Sequence, residues 1–184
     1  MKAFIVGISL LTVLAAPSAF ADSCRGDSSV GSTNGDWEAN CAQDAKTSVW
    51  HYVLTNVKTG EKRTGPLLEI DTHVHLRVFV TQDGKRFAVL NETGGNSLAG
   101  NLHSKRLLIY ESNGNLVTSL GTKEILTEDE LRGVRTSYSH IHWMKEGTAK
   151  NLAGEDAIVL ETLSGRRVVV SLADAKVVPN AAIP

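Results

Sequence analysis

Glycine-centred turns between short apolar runs are the feature that most constrains the fold of this chain. Asp83-Gly84 stands between "VFVT" and "RFAVL", and Asn113-Gly114, Ser164-Gly165 and Thr59-Gly60 repeat the arrangement. Glycine readily adopts the positive backbone angles of a tight hairpin turn. The β-branched and aromatic residues on either side favour strands. Four hairpins predict about eight strands, so we expect a mainly β domain.

Three of these hairpins resemble blade halves of β-propeller repeats. They are "TQDGKRFAVL", "RLLIYESNGNLVTSL" and "AIVLETLSGRRVVVSLADAKVV", and the resemblance covers residues 76–178. The Gly-His and Trp-Asp signatures of WD40 repeats do not occur, and a closed propeller needs at least four blades of about 40 residues each. The resemblance therefore implies antiparallel hairpins in a β-sandwich, an open barrel or a propeller-like pair of sheets.

One segment, "ILTEDELRGV", has the pattern of a short helix. Thr127 precedes Glu130 by three residues, as in a capping box, and acidic residues fill the first turn. Gly133 is a typical stop signal. We expect a helix over residues 128–132.

The N-terminus has the pattern of a signal peptide. Lys2 precedes an apolar run, and Ala19-Phe20-Ala21 gives the small-x-small pattern of a cleavage site. We expect residues 1–21 to be removed and the mature chain to be exported to the periplasm or the cell exterior. No later stretch reaches the roughly 18 apolar residues of a membrane span, so we expect no membrane insertion of the mature chain.

Two cysteines, Cys24 and Cys41, follow the predicted cleavage site. In an oxidising compartment they predict a disulfide, which would stabilise the fold by about 3 kcal/mol. Because Cys-x-x-Cys spacing is absent, redox chemistry is disfavoured. We expect a polar, disulfide-closed arm over residues 22–45 and a single β-rich domain over residues 46–184.

Two His-x-His motifs are the strongest candidates for chemistry, His73 with His75 and His140 with His142. Alternation along a strand turns each pair away from the apolar face that its neighbours form. In the second motif Met144 is expected on the same outward side. Two such pairs on neighbouring strands would supply four nitrogens for zinc or copper. The alternative is that both pairs lie on the surface and that the protein has no cofactor.

Other catalytic patterns are weak. Ser97 lacks the final glycine of a nucleophile elbow. Paired carboxylates for hydrolysis of cell-envelope polymers have no distinctive spacing among the acidic candidates, which are Glu69, Asp71, Glu92, Glu111 and Glu161.

Composition excludes one class of partner and leaves others open. With 19 basic and 20 acidic residues, the chain has no electrostatic basis for binding nucleic acid. We expect a non-catalytic binding module for a protein or cell-envelope partner. A histidine-based metalloprotein and a hydrolase are the alternatives. Sheet edges exposed in such a fold make a homodimer a further hypothesis.

Overall fold

Three sheets follow one another along the chain, each built on four antiparallel strands, and the middle one has a fifth, parallel strand. The computed structural model describes residues 28–67, 70, 75–92, 105–136 and 141–179. The first sheet contains β2 (Ser32–Asn34), β3 (Trp37–Gln43), β4 (Trp50–Asn56) and β5 (Lys62–Leu67). The middle sheet contains β6 (His75–Val80), β7 (Arg86–Asn91), β8 (Lys105–Glu111) and β9 (Leu116–Gly121), with β1 (Ser28–Val30) parallel beside β6. The third contains β12 (Lys150–Asn151), β13 (Ala157–Glu161), β14 (Arg167–Ser171) and β15 (Lys176–Val178).

Two short helices and a ribbon connect the middle sheet to the third. They are α1 (Thr122–Ile125), α2 (Glu128–Arg132), and the paired strands β10 (Arg135–Thr136) and β11 (Ile141–His142). Within the described ranges, no helix has the length and apolar character needed to cross a membrane.

Both faces of the middle sheet are buried. Val78 and Val89 pack with the inward face of the first sheet. Phe79 and Leu90 pack with the third sheet from the opposite face. Strand β7 is therefore apolar without interruption over residues 87–90, which is typical of a strand covered on both sides.

The first strands of the three sheets meet one another. The Asn34 side-chain amide on β2 donates to the Val80 carbonyl (3.1 Å) in the middle sheet and to the Glu155 carbonyl (3.3 Å) before β13. The Asn151 amide on β12 donates to the Thr33 carbonyl (2.8 Å) on β2. The first and third sheets therefore touch at β2 and β12, while the middle sheet separates the cores that it forms with each of them.

The mainly β prediction is confirmed, and the described strands close no barrel. The four predicted turns join consecutive strands, with positive φ at Gly60, Gly84, Gly114 and Gly165. The predicted helix is α2: the Thr127 hydroxyl accepts from the Glu130 amide, and the Glu130 carboxylate accepts from the Thr127 amide.

The structure differs from the predicted arm over residues 22–45, because residues 32–43 form β2 and β3. On β3 the side chains of Trp37, Ala39 and Cys41 are buried against the middle sheet, while Asn40 and Ala42 are exposed. Only one face of this strand is buried, so solvent-facing residues alternate with buried ones, as is typical of a strand with one solvated face. The strand count of about eight was too low, because β3 and several strands of two or three residues were not predicted.

The turn between β6 and β7 lies against an aromatic ring of the first sheet. Gly84 has φ +66°, and a Cβ there would lie 2.2 Å from Cε2 of Trp37. The Arg63 guanidinium lies 4.6 Å from the centroid of the Trp37 ring, and its Nη1 donates to the Gly84 carbonyl (3.1 Å). Gly60, with φ +74°, has no atom within 4 Å of its hypothetical Cβ.

These two glycines separate backbone strain from overpacking. Gly84→Ala and Gly60→Ala both place alanine at a positive φ, but only the first forces a methyl group into the Trp37 ring. We expect Gly84→Ala to lose about 1–3 kcal/mol more free energy of unfolding than Gly60→Ala, which is the usual cost of overpacking. Urea denaturation measures the difference. Equal losses would show that the Trp37 ring moves aside freely.

Candidate functional site

The two ends of the stacked sheets differ in their connections. Tight turns at residues 35–36, 57–61, 81–85, 112–115, 152–156 and 172–175 lie at one end, which we call the turn end. Bonds between these turns tie the sheets together, including the Gln82 amide to the Asp156 carboxylate (2.6 Å) and the Arg86 guanidinium to the Leu172 carbonyl (3.2 Å). The opposite end, the loop end, contains residues 44–49, the turn at residues 162–166, the helices α1 and α2, and the strand ends at Leu67, His75, Asn91 and Lys105.

A cleft of about 490 Å³ opens at the loop end. It lies between α2 and the turn that joins β13 to β14, with Trp143 and Lys145 from the segment between β11 and β12. Its lining residues are Asp129, Glu130, Gly133, Trp143, Lys145, Leu163 and Ser164. The volume is within the range of small-ligand pockets.

Glu130 fixes one wall of this cleft. Its carboxylate accepts hydrogen bonds from the hydroxyls of Thr162 (2.6 Å) and Ser164 (2.5 Å) and from Arg166 Nη2 (2.5 Å) and Nε (3.1 Å). Burial opposes its ionisation, but the bonds from Arg166, Ser164 and Thr162 outweigh burial and hold the pKa of Glu130 well below its ordinary value. Arg166 also donates to the Ile125 carbonyl (2.8 Å), so one ionic cluster joins α1, α2 and the β13–β14 turn.

Trp143 connects the cleft to the middle sheet. Its ring is 1% exposed, and its indole Nε1 donates to the Asn91 carbonyl (3.2 Å) at the end of β7. A buried indole N–H with an acceptor fixes the orientation of the ring. The back of the cleft is therefore held by a strand of the scaffold.

Glu92, directly after β7, holds the neighbouring turn. Its carboxylate is 6% exposed and accepts from the Gly147 amide (3.2 and 3.3 Å), and Arg77 Nη1 lies 3.6 Å from Oε1. Burial raises the pKa of Glu92, an effect that the Glu146 charge increases and that Arg77 and the Gly147 amide only partly offset. The turn at residues 145–148 is thus attached to the middle sheet by a desolvated carboxyl.

The structure does not make the two histidine motifs neighbours in a sheet. His75 lies on β6, whose partners are β1 and β7, whereas His142 lies on β11, whose partner is β10. His73 and His140 lie outside the described residues. His142 is exposed between buried Ile141 and Trp143, which confirms its predicted outward direction.

Met144 departs from the predicted alternation and is buried. Strand β11 ends at His142, and Met144 forms a separate antiparallel bridge with Thr162 of the third sheet. Among the described residues no group of three or more histidine, cysteine or acidic side chains is suited to a metal ion. The zinc or copper site stays a prediction, since two of its four ligands are outside this part of the chain.

Cys41 is buried on β3, opposite Tyr52, in the core between the first and middle sheets. No disulfide joins residues of the described ranges, and the predicted partner Cys24 lies outside them. The Cys24–Cys41 bridge therefore stays a prediction.

The acidic residues weighed for hydrolysis do not form a pair in the described part of the chain. Glu92 binds Arg77 and Gly147, Glu161 forms an ion pair with Lys145, and Glu111 is exposed at the turn end. Glu69, Asp71 and Ser97 lie outside the described residues. Sequence reasoning assigned Glu130 only to a helix cap and did not identify Arg166. Their contact joins residues 36 positions apart, and no local pattern reports it.

Comparison with known proteins adds no family assignment: the chain matches no protein-family model, and a search of curated proteins finds no relative.

Glu130 should stabilise the fold in a pH-dependent way. Because the pKa of Glu130 is lowered in the folded state, its contribution to the free energy of unfolding is full above the ordinary carboxyl pKa of 4.5. That contribution is lost as the pH falls through the pKa of the folded state. We expect Glu130→Gln to lose about 2 kcal/mol or more of unfolding free energy at pH 7, since bonds to a charged group are removed. Denaturation at pH 7 and at acid pH measures the difference in unfolding free energy between the variant and the unsubstituted protein, and this difference should be smaller at acid pH. Glu128→Gln, an exposed position on the same helix, is the control and should show neither effect.

Glu92 should behave in the opposite sense. Its raised pKa means that its contribution is full below the ordinary value of 4.5 and is lost as pH rises through the folded value. Glu92→Gln keeps an oxygen acceptor for the Gly147 amide but cannot ionise. From pH 4 to pH 7, the stability of Glu92→Gln should therefore rise relative to that of the unsubstituted protein. If the unfolding free energies of the two proteins change with pH in parallel, Glu92 ionises in the folded state at no cost in stability.

Proposed function

We propose that the chain is an exported, non-catalytic binding module that acts in the periplasm or at the cell exterior through its loop end. The observation that carries this proposal is the cleft of about 490 Å³ at the loop end, whereas the bonds at the turn end tie the sheets to one another. Loops held by a rigid scaffold are the usual place for binding residues. The proposed partner is a protein or a component of the cell envelope.

The chemistry of the cleft favours binding over catalysis. The Ser164 hydroxyl donates a hydrogen bond to the Glu130 carboxylate. Lys145 forms an ion pair with Glu161, and Asp129 forms one with Arg132. A nucleophile needs a neighbouring base that can accept its proton. Glu130, with its lowered pKa and several donors, is a poor base, so Ser164 lacks an activating partner. The cleft supplies shape and hydrogen-bonding groups.

Export is proposed on the sequence pattern of residues 1–21, which lie outside the described residues. A module of this kind would meet its partner after removal of that segment. The proposed bridge between Cys24 and Cys41 would then form in the same oxidising compartment.

Site-specific photo-crosslinking in cells that produce the full chain tests the binding surface and the compartment together. A photoreactive residue replaces Lys46 or Leu163 at the loop end, or Val57 or Asn113 at the turn end; all four side chains are exposed. We expect adducts from the loop-end positions only, recovered from the periplasm or the medium. Adducts from the turn end alone, equal adducts from both ends, or no loop-end adduct would contradict the proposal, and recovery from the cytoplasm would contradict export.

A further inference from the structure

The chain contains two Asn-Gly pairs, Asn34-Gly35 and Asn113-Gly114, and each lies at a hairpin turn. In such a pair the backbone nitrogen of glycine can reach the side-chain amide carbon of asparagine, because glycine has no side chain to obstruct the approach. We propose that Asn113 is a site of spontaneous deamidation in the folded protein, whereas Asn34 is protected from the same reaction. The inference does not depend on the proposed function.

The reaction at Asn113 needs no reagent other than water. The Gly114 nitrogen loses its proton and forms a bond to Cγ of Asn113, and the side-chain nitrogen leaves as ammonia with that proton. Water then opens the resulting cyclic imide by breaking a bond to the Gly114 nitrogen. Cleavage at Cγ gives aspartate, and cleavage at the backbone carbonyl carbon gives isoaspartate, in which the main chain runs through Cγ.

The turn that carries Asn113 is held by local hydrogen bonds. The Asn113 side chain is exposed, its Nδ2 donates to Glu111 Oε2 (3.3 Å), and its Oδ1 accepts from the Asn115 amide (2.9 Å). The Gly114 amide donates to the Glu111 carbonyl (2.9 Å). Because all of these bonds lie within residues 111–115, the turn can open and bring its nitrogen to Cγ while the sheets stay packed. Local opening of an exposed turn has a low free energy.

Asn34 is held by bonds to the other two sheets. Its half-buried side chain donates through Nδ2 to the Val80 carbonyl (3.1 Å) and to the Glu155 carbonyl (3.3 Å), which lie 46 and 121 positions away. Rotation of the side chain toward the Gly35 nitrogen breaks both bonds and leaves two carbonyls at the junction of the sheets without this donor, which costs free energy. The reactive conformation is therefore more costly at Asn34 than at Asn113.

Deamidation of Asn113 changes both the charge and the backbone of its turn. The donor that Glu111 now receives from Asn113 is replaced by a second carboxylate, which repels it. Isoaspartate also lengthens the main chain next to Ser112, whose carbonyl accepts from the Tyr52 hydroxyl (3.3 Å) and whose amide donates to the Lys85 carbonyl (2.8 Å). The modification therefore acts at the turn end, away from the cleft.

Peptide mapping by mass spectrometry tests the inference on the full chain, incubated at mildly alkaline pH to favour loss of the amide proton. Trypsin, which cleaves after lysine and arginine, places Asn34 and Asn113 in the separate peptides 26–46 and 107–123, so one digest reports both sites. Protein kept in guanidinium chloride gives the two rates without folded turns. Asn113→Ser is the control variant, because serine can accept from the Asn115 amide but cannot form the imide.

In guanidinium chloride we expect the two asparagines to react at similar rates, because the two pairs have the same chemistry. In the folded protein we expect Asn113 to react about tenfold faster than Asn34 or more, since two hydrogen bonds between sheets protect Asn34. Equal rates at the two sites of the folded protein would overturn the inference. So would a folded protein in which Asn113 stays unmodified while the denatured chain is converted, or a deamidated peptide 107–123 from Asn113→Ser.

Discussion

Burial of the middle sheet on both faces is the constraint on which the rest of the structure depends. A strand covered on both sides must be apolar at successive positions, as residues 87–90 of β7 are, and each face then needs a further sheet. The hydrophobic effect explains why two sheets flank the middle one, but it is not directional. Hydrogen bonds from the Asn34 and Asn151 side chains fix where the sheets meet. The hydrogen bond from the Gln82 amide to the Asp156 carboxylate fixes the third sheet against the middle sheet at the turn end.

The elements that could be predicted are those fixed by neighbouring residues. A hairpin at Asp83-Gly84 and a helix after Thr127 depend on backbone angles and bonds within a few positions, and both appear as expected. Strand β3 was missed because it follows the polar, glycine-containing residues 25–36 and only one of its faces is buried. The cluster of Glu130 with Arg166 was beyond reach, because it depends on α2 packing against a turn of the third sheet. Sheet order and stacking likewise depend on contacts distant in sequence.

The second histidine motif shows the same contrast between what neighbouring residues determine and what contacts distant in sequence determine. Alternation correctly turns His142 outward between Ile141 and Trp143, because a side chain's direction is local to its strand. Whether that strand lies beside β6 is a matter of topology, and the structure pairs it with β10 instead. Alternation also fails as soon as the strand ends, which is why Met144 is buried. A motif on a strand thus predicts the direction of its side chains well and their convergence poorly.

The carboxyls of Glu92 and Glu130 respond to pH in opposite directions, and their surroundings explain the contrast. Glu130 has hydroxyl, guanidinium and backbone donors around both oxygens, so ionisation is favoured despite burial. Glu92 has one backbone amide and an arginine at 3.6 Å, with the Glu146 charge nearby, so burial prevails. On acidification Glu92 therefore takes up its proton well before Glu130. On acidification the turn at residues 145–148, held by Glu92, therefore changes its electrostatic attachment while the wall built on Glu130 is still ionised, so the two sides of the cleft respond to pH in different ranges.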